Sequence, residues 1–184
     1  IMSSDWSSDV CSSDLYVADD DAGLRVVDVS EPAWPVEVGS YDTPDNVRDV
    51  AVAGTLAYVA DSLGLRVVDV SIPADPIEVG SCDTQGSGLG IAIAGVYDYI
   101  AAGSTGVRVV DITEPTQPVE IHGYDTPGVV RGVAVSGGYV FLADYEGGFV
   151  VLTDCYVPLF ADGFEDGDFS AWSSTAPSTE RVRR

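Results

Sequence analysis

The stretch GLRVVDVS occurs unchanged at Gly23–Ser30 and at Gly64–Ser71, and it returns as GVRVVDIT at Gly106–Thr113. Side chains alternate faces along a strand, so Leu24, Val26 and Asp28 share one side while Arg25, Val27 and Val29 share the other. Arg25 and Asp28 therefore diverge. They cannot pair within one strand, and each is left to find a partner on an adjacent repeat. Asp28, Asp69 and Asp111 stand just ahead of a Ser or Thr and a PxxP loop, where a short acceptor can bond backbone N–H groups and fix the turn. A residue kept in every copy is one the repeating unit needs, whereas an active site needs it once. The motif is read as structural.

Working outward, Gly23, Gly64, Gly106 and Gly148 recur at spacings of 41, 42 and 42 residues. Each is preceded by an apolar run and a turn (LYVADDDAG, AYVADSLG, YIAAGSTG, VFLADYEGG). The first three are followed by D(V/I)(S/T)xPxxP and a segment such as PVEVGSYD; the fourth stops at FVVLTD. VRDVAVAG, LGIAIAG and VRGVAVSG close the cycle. Each period thus holds about four short strands separated by turn signals, the spacing of an antiparallel meander. Such a meander of roughly 40 residues is the blade of a β-propeller.

The DVAVAG-type segments alternate bulky and small residues, which suits crowding near an axis, and are assigned as inner strands. The PVEVGSYD-type segments carry Glu37, Glu78 and Glu120, charges that discourage edge pairing, and are assigned as outer strands. Pro35, Pro76 and Pro118 fall at their starts, where a missing N–H harms the ladder least. The fold class expected is all-β, a partial propeller of about three and a half four-stranded antiparallel blades. Its open ends would leave large apolar faces in water, so the chain reads as a fragment whose partners include the remaining blades of a longer protein.

Composition fits this reading, with 46% hydrophobic residues, 20 Gly and 10 Pro in 184 residues. The formal charge of −22, from 30 acids against 8 arginines, repels polyanions, so nucleic acid is not an expected partner. There is no run of eighteen apolar residues, so no membrane span is expected. Cys11, Cys82 and Cys155 stand too far apart for a disulfide framework or a zinc set.

Residues 1–15 read as no fold at all. The run Asp5–Leu15, DWSSDVCSSDL, closely resembles one translated frame of a sequencing-library adapter, a Ser/Asp-rich linker being the alternative. Residues 16–155 hold the blades. Residues 156–184 read as a linker or tail, or as the truncated start of a further module resembling a segment of secreted bacterial proteins through FADGFEDGDFSAW.

The recurring LRVVDVS and its PxxP loop resemble the LVIVD repeat family from Leu15 to about Asp154. The resemblance implies a secreted or cell-surface propeller of bacterial or archaeal type, and it carries no catalytic residue to transfer. The fourth copy departs from the family by having Thr153 in place of the aspartate.

Candidate sites follow from what breaks the repeat. Arg48 and Arg131 occupy corresponding positions entering inner strands, with Leu89 between them in the third copy; near a channel mouth their planar guanidinium forks suit a carboxylate or sugar acid. The competing reading pairs them with Asp42, Asp45, Asp49 or Asp125. ADDDAG (18–23) and the acids Asp162, Glu165, Asp166 and Asp168 invite calcium, but neither has the EF-hand spacing, so no metal is assigned. His122, which replaces Gly39 and Gly80 of the earlier copies, has no second histidine to work with. Trp34, Tyr41 and Tyr124 offer an aromatic patch for carbohydrate or pack on their own loops, and Cys82 reads as a buried thiol. No catalytic residue and no cofactor is assigned. The function expected is non-catalytic binding or scaffolding toward an unknown protein or carbohydrate ligand; the alternative is a fragment of a propeller hydrolase, lyase or quinoprotein with its catalytic residues elsewhere.

Overall fold

The computed structural model describes residues 2–3 and 13–153. Their strands form four sheets, three of four strands and one of three, each antiparallel and ordered along the chain. Blade 1 comprises β1 (Met2–Ser3), β2 (Asp14–Ala18), β3 (Leu24–Asp28) and β4 (Val36–Tyr41). Blade 2 comprises β5 (Val47–Ala53), β6 (Leu56–Asp61), β7 (Gly64–Asp69) and β8 (Ile77–Asp83). Blade 3 comprises β9 (Gly90–Ala94), β10 (Tyr97–Ala101), β11 (Val107–Asp111) and β12 (Val119–Tyr124). Blade 4 comprises β13 (Val130–Ser136), β14 (Tyr139–Asp144) and β15 (Gly148–Thr153).

The inner strands β5, β9 and β13 lie against one another, while β4, β8 and β12 form outer edges. Pro35, Pro76 and Pro118 each immediately precede an outer strand, as the missing N–H requires. One expectation is corrected at the N-terminus. The boundary at residue 15 falls inside β2, because β3 runs to Asp28 and its hairpin partner must reach back to Asp14. Met2 and Ser3, expected to carry no fold, pair with Val17 and Tyr16 in the innermost position of blade 1.

Among the described residues no blade has a core of its own, and the three cores lie between blades. Tyr16, Leu24 and Val26 of blade 1 meet Val50, Ala57, Val59, Val68 and Val70 of blade 2. Tyr58, Ala60, Leu65 and Val67 on the opposite face of blade 2 meet Ile91, Ile100, Val110 and Ile112 of blade 3. Tyr99, Ala101, Val107 and Val109 then meet Val130, Val140 and Leu142 of blade 4. Each fully buried Leu or Val contributes about 1.5–3 kcal/mol relative to exposure. Strand alternation thus gives every blade two apolar faces, and stacking is what buries them.

Two recurrent backbone features set the geometry. The glycine opening each motif is fixed by the end of the outer strand: a Cβ on Gly23, Gly64 or Gly106 would fall onto the carbonyl oxygen of Tyr41, Cys82 or Tyr124. Gly148, whose blade has no outer strand among the described residues, has open space around it. Gly39 and Gly80 are fixed by the next blade instead, since a Cβ there would strike the carbonyl oxygens of Pro73 and Pro115 in the following PxxP loop.

Candidate functional site

The repeated charges are used within their own blades. In blade 2, Arg66 Nε donates to Asp61 Oδ2 at 2.8 Å and Nη2 donates to Asp83 Oδ1 at 3.0 Å. Burial pulls this guanidinium down, but Asp61, Asp83 and Glu78 together outweigh it and the net shift is upward. In blade 1, Arg25 bonds Glu37 at 3.2 Å and lies 3.8 Å from Asp19. In blade 3, Arg108 Nη2 donates to Asp125 Oδ1 at 2.5 Å and to the Thr105 carbonyl at 2.6 Å. The expectation of partners on adjacent blades is therefore corrected for the arginine. Hairpin pairing brings acids on the neighbouring strands, or at their ends, beside the arginine of the same sheet.

The repeated aspartate behaves as its place before the loop implies. Ser30, Ser71 and Thr113 each donate their N–H to Asp28, Asp69 and Asp111 at 2.8 Å. The backbone bond holds Asp28 and Asp69 below the usual carboxylate value, and the Thr113 hydroxyl followed by its N–H does so for Asp111.

Arg48 and Arg131 occupy a distinctive backbone position. Opposite β6, Val47 pairs with Asp61 and Asp49 with Ala60, which leaves Arg48 as the extra residue of a bulge. Opposite β14, Val130 pairs with Asp144 and Gly132 with Ala143, which leaves Arg131 in the same position. Bulges of this kind re-aim a side chain, and both arginines are exposed. The residue before each bulge is tied to the preceding blade, Val47 N–H to the Asp20 carbonyl at 2.8 Å and Val130 N–H to the Gly103 carbonyl at 2.9 Å. Both arginines thus stand at the same end of the stack, two blades apart, with half-buried Leu89 in the register between them.

Their immediate partners differ. Arg48 Nη1 lies 3.2 Å from Asp20 Oδ1, an acid of blade 1 rather than any of the four expected, because the inter-blade bond at Val47 brings that turn alongside. Arg131 stacks over the Tyr145 ring, 5.4 Å from its centroid. Tyr145, not singled out by its sequence, is exposed at the β14–β15 turn.

Buried acids are the second feature that sequence patterning passed over. Asp98 is fully buried, and neither carboxylate oxygen has a hydrogen-bond partner. Burial, reinforced by the Asp49 charge, raises its pKa well above 3.8; the Tyr99 N–H tempers the shift without reaching bonding geometry. Asp49 is also raised by burial, against the pull of N–H bonds from Ile91 and Val50, both at 3.0 Å. The available signal was that Asp98 stands where the other copies have Leu15, Ala57 and Val140.

The remaining candidates are dispersed. Asp19 and Asp20 of ADDDAG are engaged by Arg25, Arg48 and Asn46. Among the described residues no three His, Cys, Asp or Glu are grouped to hold a metal ion. Trp34 is 78% exposed rather than packed on its loop. Tyr41 is half-buried and donates to Glu78 of blade 2 at 2.5 Å; burial first, then that bond, pushes it up to about 12. Cys82, the repeat equivalent of Tyr41, is half-buried rather than buried, and burial raises its thiol. His122 is exposed on β12. Trp6, Cys11, Cys155, the acids at 162–168 and the whole segment 156–184 lie outside the described residues.

With the blades in place, their boundaries can be set against known families. The LVIVD repeat matches four times, over residues 14–43, 44–84, 85–126 and 127–152. The chain belongs to the LVIVD repeat family. Each LVIVD match falls on one sheet, with β1 lying ahead of the first match. The fold is also similar to the computationally designed Ika4 protein, with a TM-score of 0.64, 11% identity, and coverage of 78% of this chain and 87% of Ika4. Similarity to the computationally designed Ika8 protein gives a TM-score of 0.63 at 11% identity and covers 79% of this chain. The chain spans only 44% of Ika8. At that identity the likeness concerns fold alone. No curated protein matches the chain. No helix among the described residues is long and apolar enough to cross a membrane.

Proposed function

We propose that this LVIVD repeat protein is a non-catalytic binding or scaffolding module that works outside the cell, and that it takes an acidic carbohydrate at the end of the stack where Arg48 and Arg131 stand. The observation that carries this reading is the pair of equivalent bulges that turn both arginines outward on one end. The arginines kept in the motif itself are engaged with acids of their own sheets, so among the described residues the exposed arginines within reach of a ligand are those that depart from the repeat. Tyr145 beneath Arg131 adds a ring face for the sugar, and the guanidinium adds a fork for its carboxylate. Arg48 exchanges Asp20 for the ligand, an exposed ion pair that costs little to open. With a net charge of −22, long-range steering opposes any anion, so binding strengthens as salt screens the rest of the surface.

Calorimetry with uronic-acid oligosaccharides and their neutral counterparts tests the site. Binding of the acidic series alone, abolished in the Arg48→Ala, Arg131→Ala double variant and weakened by Tyr145→Ala, is the expected result. Equal binding of neutral sugars, no binding, or binding untouched by the double variant removes the assignment.

A further inference from the structure

Blade 4 presents to solvent the face that every earlier blade buries. Phe149 and Val151 are 72% and 47% exposed, whereas their repeat equivalents in blade 2, Leu65 and Val67, are 0% exposed against blade 3. Phe141, the counterpart of buried Tyr58, stacks on Phe149 at 5.9 Å, and Tyr139 stands 6.3 Å from Phe141. This aromatic surface is the leading half of a blade-to-blade contact.

The trailing half is at the other end of the chain. Blade 2 receives blade 1 through Ala57, Val59, Val68 and Val70, all buried. Their equivalents on blade 1 are Leu15, Val17, Val27 and Val29, and all four remain partly exposed. Among the described residues blade 4 packs on blade 3, and its strands share no extended packing with those of blade 1. The two unfilled halves therefore do not meet within one chain. The chain covers 44% of Ika8, so a fold of this kind is large enough to hold two chains of this size.

We infer that two copies of this chain join head to tail, with the Tyr139, Phe141, Phe149 and Val151 face of each seated on the Leu15, Val17, Val27 and Val29 face of the other. The contact continues an interface already made three times inside the chain. Because leading and trailing faces differ, the contact is heterologous, and it is satisfied without residue only by closing a ring. Charge sets its salt dependence: two copies at −22 each repel, so screening favours the pair.

Sedimentation velocity on the full 184-residue chain at low and high salt gives the test. The expected wild-type species has twice the chain mass and strengthens with salt. Phe149→Asp and Val27→Asp are each expected to be monomeric, and an equimolar mixture of the two to recover a dimer, since one sound interface of the two remains. Thermal melts confirm that each variant is folded; Tyr139→Asp and Val17→Asp, on the same two faces, replace any that is not. A monomeric wild type overturns the inference. So does a dimer surviving Val27→Asp, which means aromatic face on aromatic face, and so does a ladder of larger species. Truncation after Thr153 that converts a monomer to a dimer also overturns it, because residues 154–184 then cover the face themselves.

Discussion

Blades 2 and 3 carry the same buried arginine and hold it by different means. Under Arg66 lies Asp61, fully buried, which also accepts the N–H groups of Leu63 and Gly64 at 2.8 Å each. In blade 3 that acid is Ala102, so Arg108 keeps Asp125, the repeat equivalent of Asp83, but swings to the Thr105 carbonyl, and its Nε has no partner. The swing has a steric consequence. A Cβ at Gly123 would fall onto the Arg108 guanidinium, whereas blade 2 tolerates Ser81 at the same position. Ala102 and Gly123 are thus one departure from the repeat rather than two.

His122 has a similar origin. Gly39 and Gly80 are pressed by the PxxP loop of the next blade, and the sequence after Thr153 carries no PxxP motif, so the constraint that keeps glycine at those two positions is not written into the fourth copy for position 122. The comparison teaches that an irregular residue in a repeat protein is first to be explained by its neighbours in the stack. Only what survives that explanation, here Arg48, Arg131 and Asp98, is a candidate for something else.

The largest effect that can break this comparison belongs to Asp61→Ala. It leaves Arg66 buried with its nearest countercharge removed, and the expected loss is about 3–5 kcal/mol by chemical denaturation. A loss below about 1 kcal/mol would mean the pair is as dispensable as a surface one. Next comes Gly80→His, which copies blade 3 into blade 2 and drives a side chain into the Pro115 carbonyl; about 3 kcal/mol is expected, with His122→Gly costing about 1 kcal/mol, as glycine within a strand does. Equal effects at the two sites would refute the loop explanation.

Asp98→Val, which copies Val140 of blade 4, is expected to stabilise by about 2 kcal/mol at neutral pH by removing a buried acid without partners. The sign of its pH dependence follows from the raised folded pKa. The folded chain binds this proton more tightly than the unfolded one, so the wild type loses stability as pH rises from 3.8 through the folded value, and the advantage of Asp98→Val grows over that interval and then levels. An advantage independent of pH would place the ionisation elsewhere. The smallest effect sharpens the comparison: Gly123→Ser alone costs under about 1 kcal/mol, and adding Ala102→Asp reverses the loss by drawing Arg108 back beneath the sheet.

The blade count, strand order, inner and outer assignments and the turn-fixing aspartates were all legible, because alternation and a fixed period are properties of one strand read alone. What resisted reading depends on two strands at once. The partner of Arg66 is the last residue of β6, and only hairpin register brings it near. The bulges at Arg48 and Arg131 are register events between β5 and β6 and between β13 and β14. The turn at Asp20 reaches Arg48 through an inter-blade bond that no spacing announces. At the N-terminus, composition argued against any strand, yet Met2 and Ser3 pair with β2 because that strand has an open edge there.

The central claim is that the recurring charges serve the sheet that carries them, and a double-mutant cycle between Asp61 and Arg66 tests it most directly. Chemical denaturation of Asp61→Ala, Arg66→Ala and the double variant is expected to give a coupling of about 2–3 kcal/mol, the double variant being far less damaged than the sum. Additivity to within about 0.3 kcal/mol would contradict the account, since the two side chains would then stand in the sheet without depending on each other.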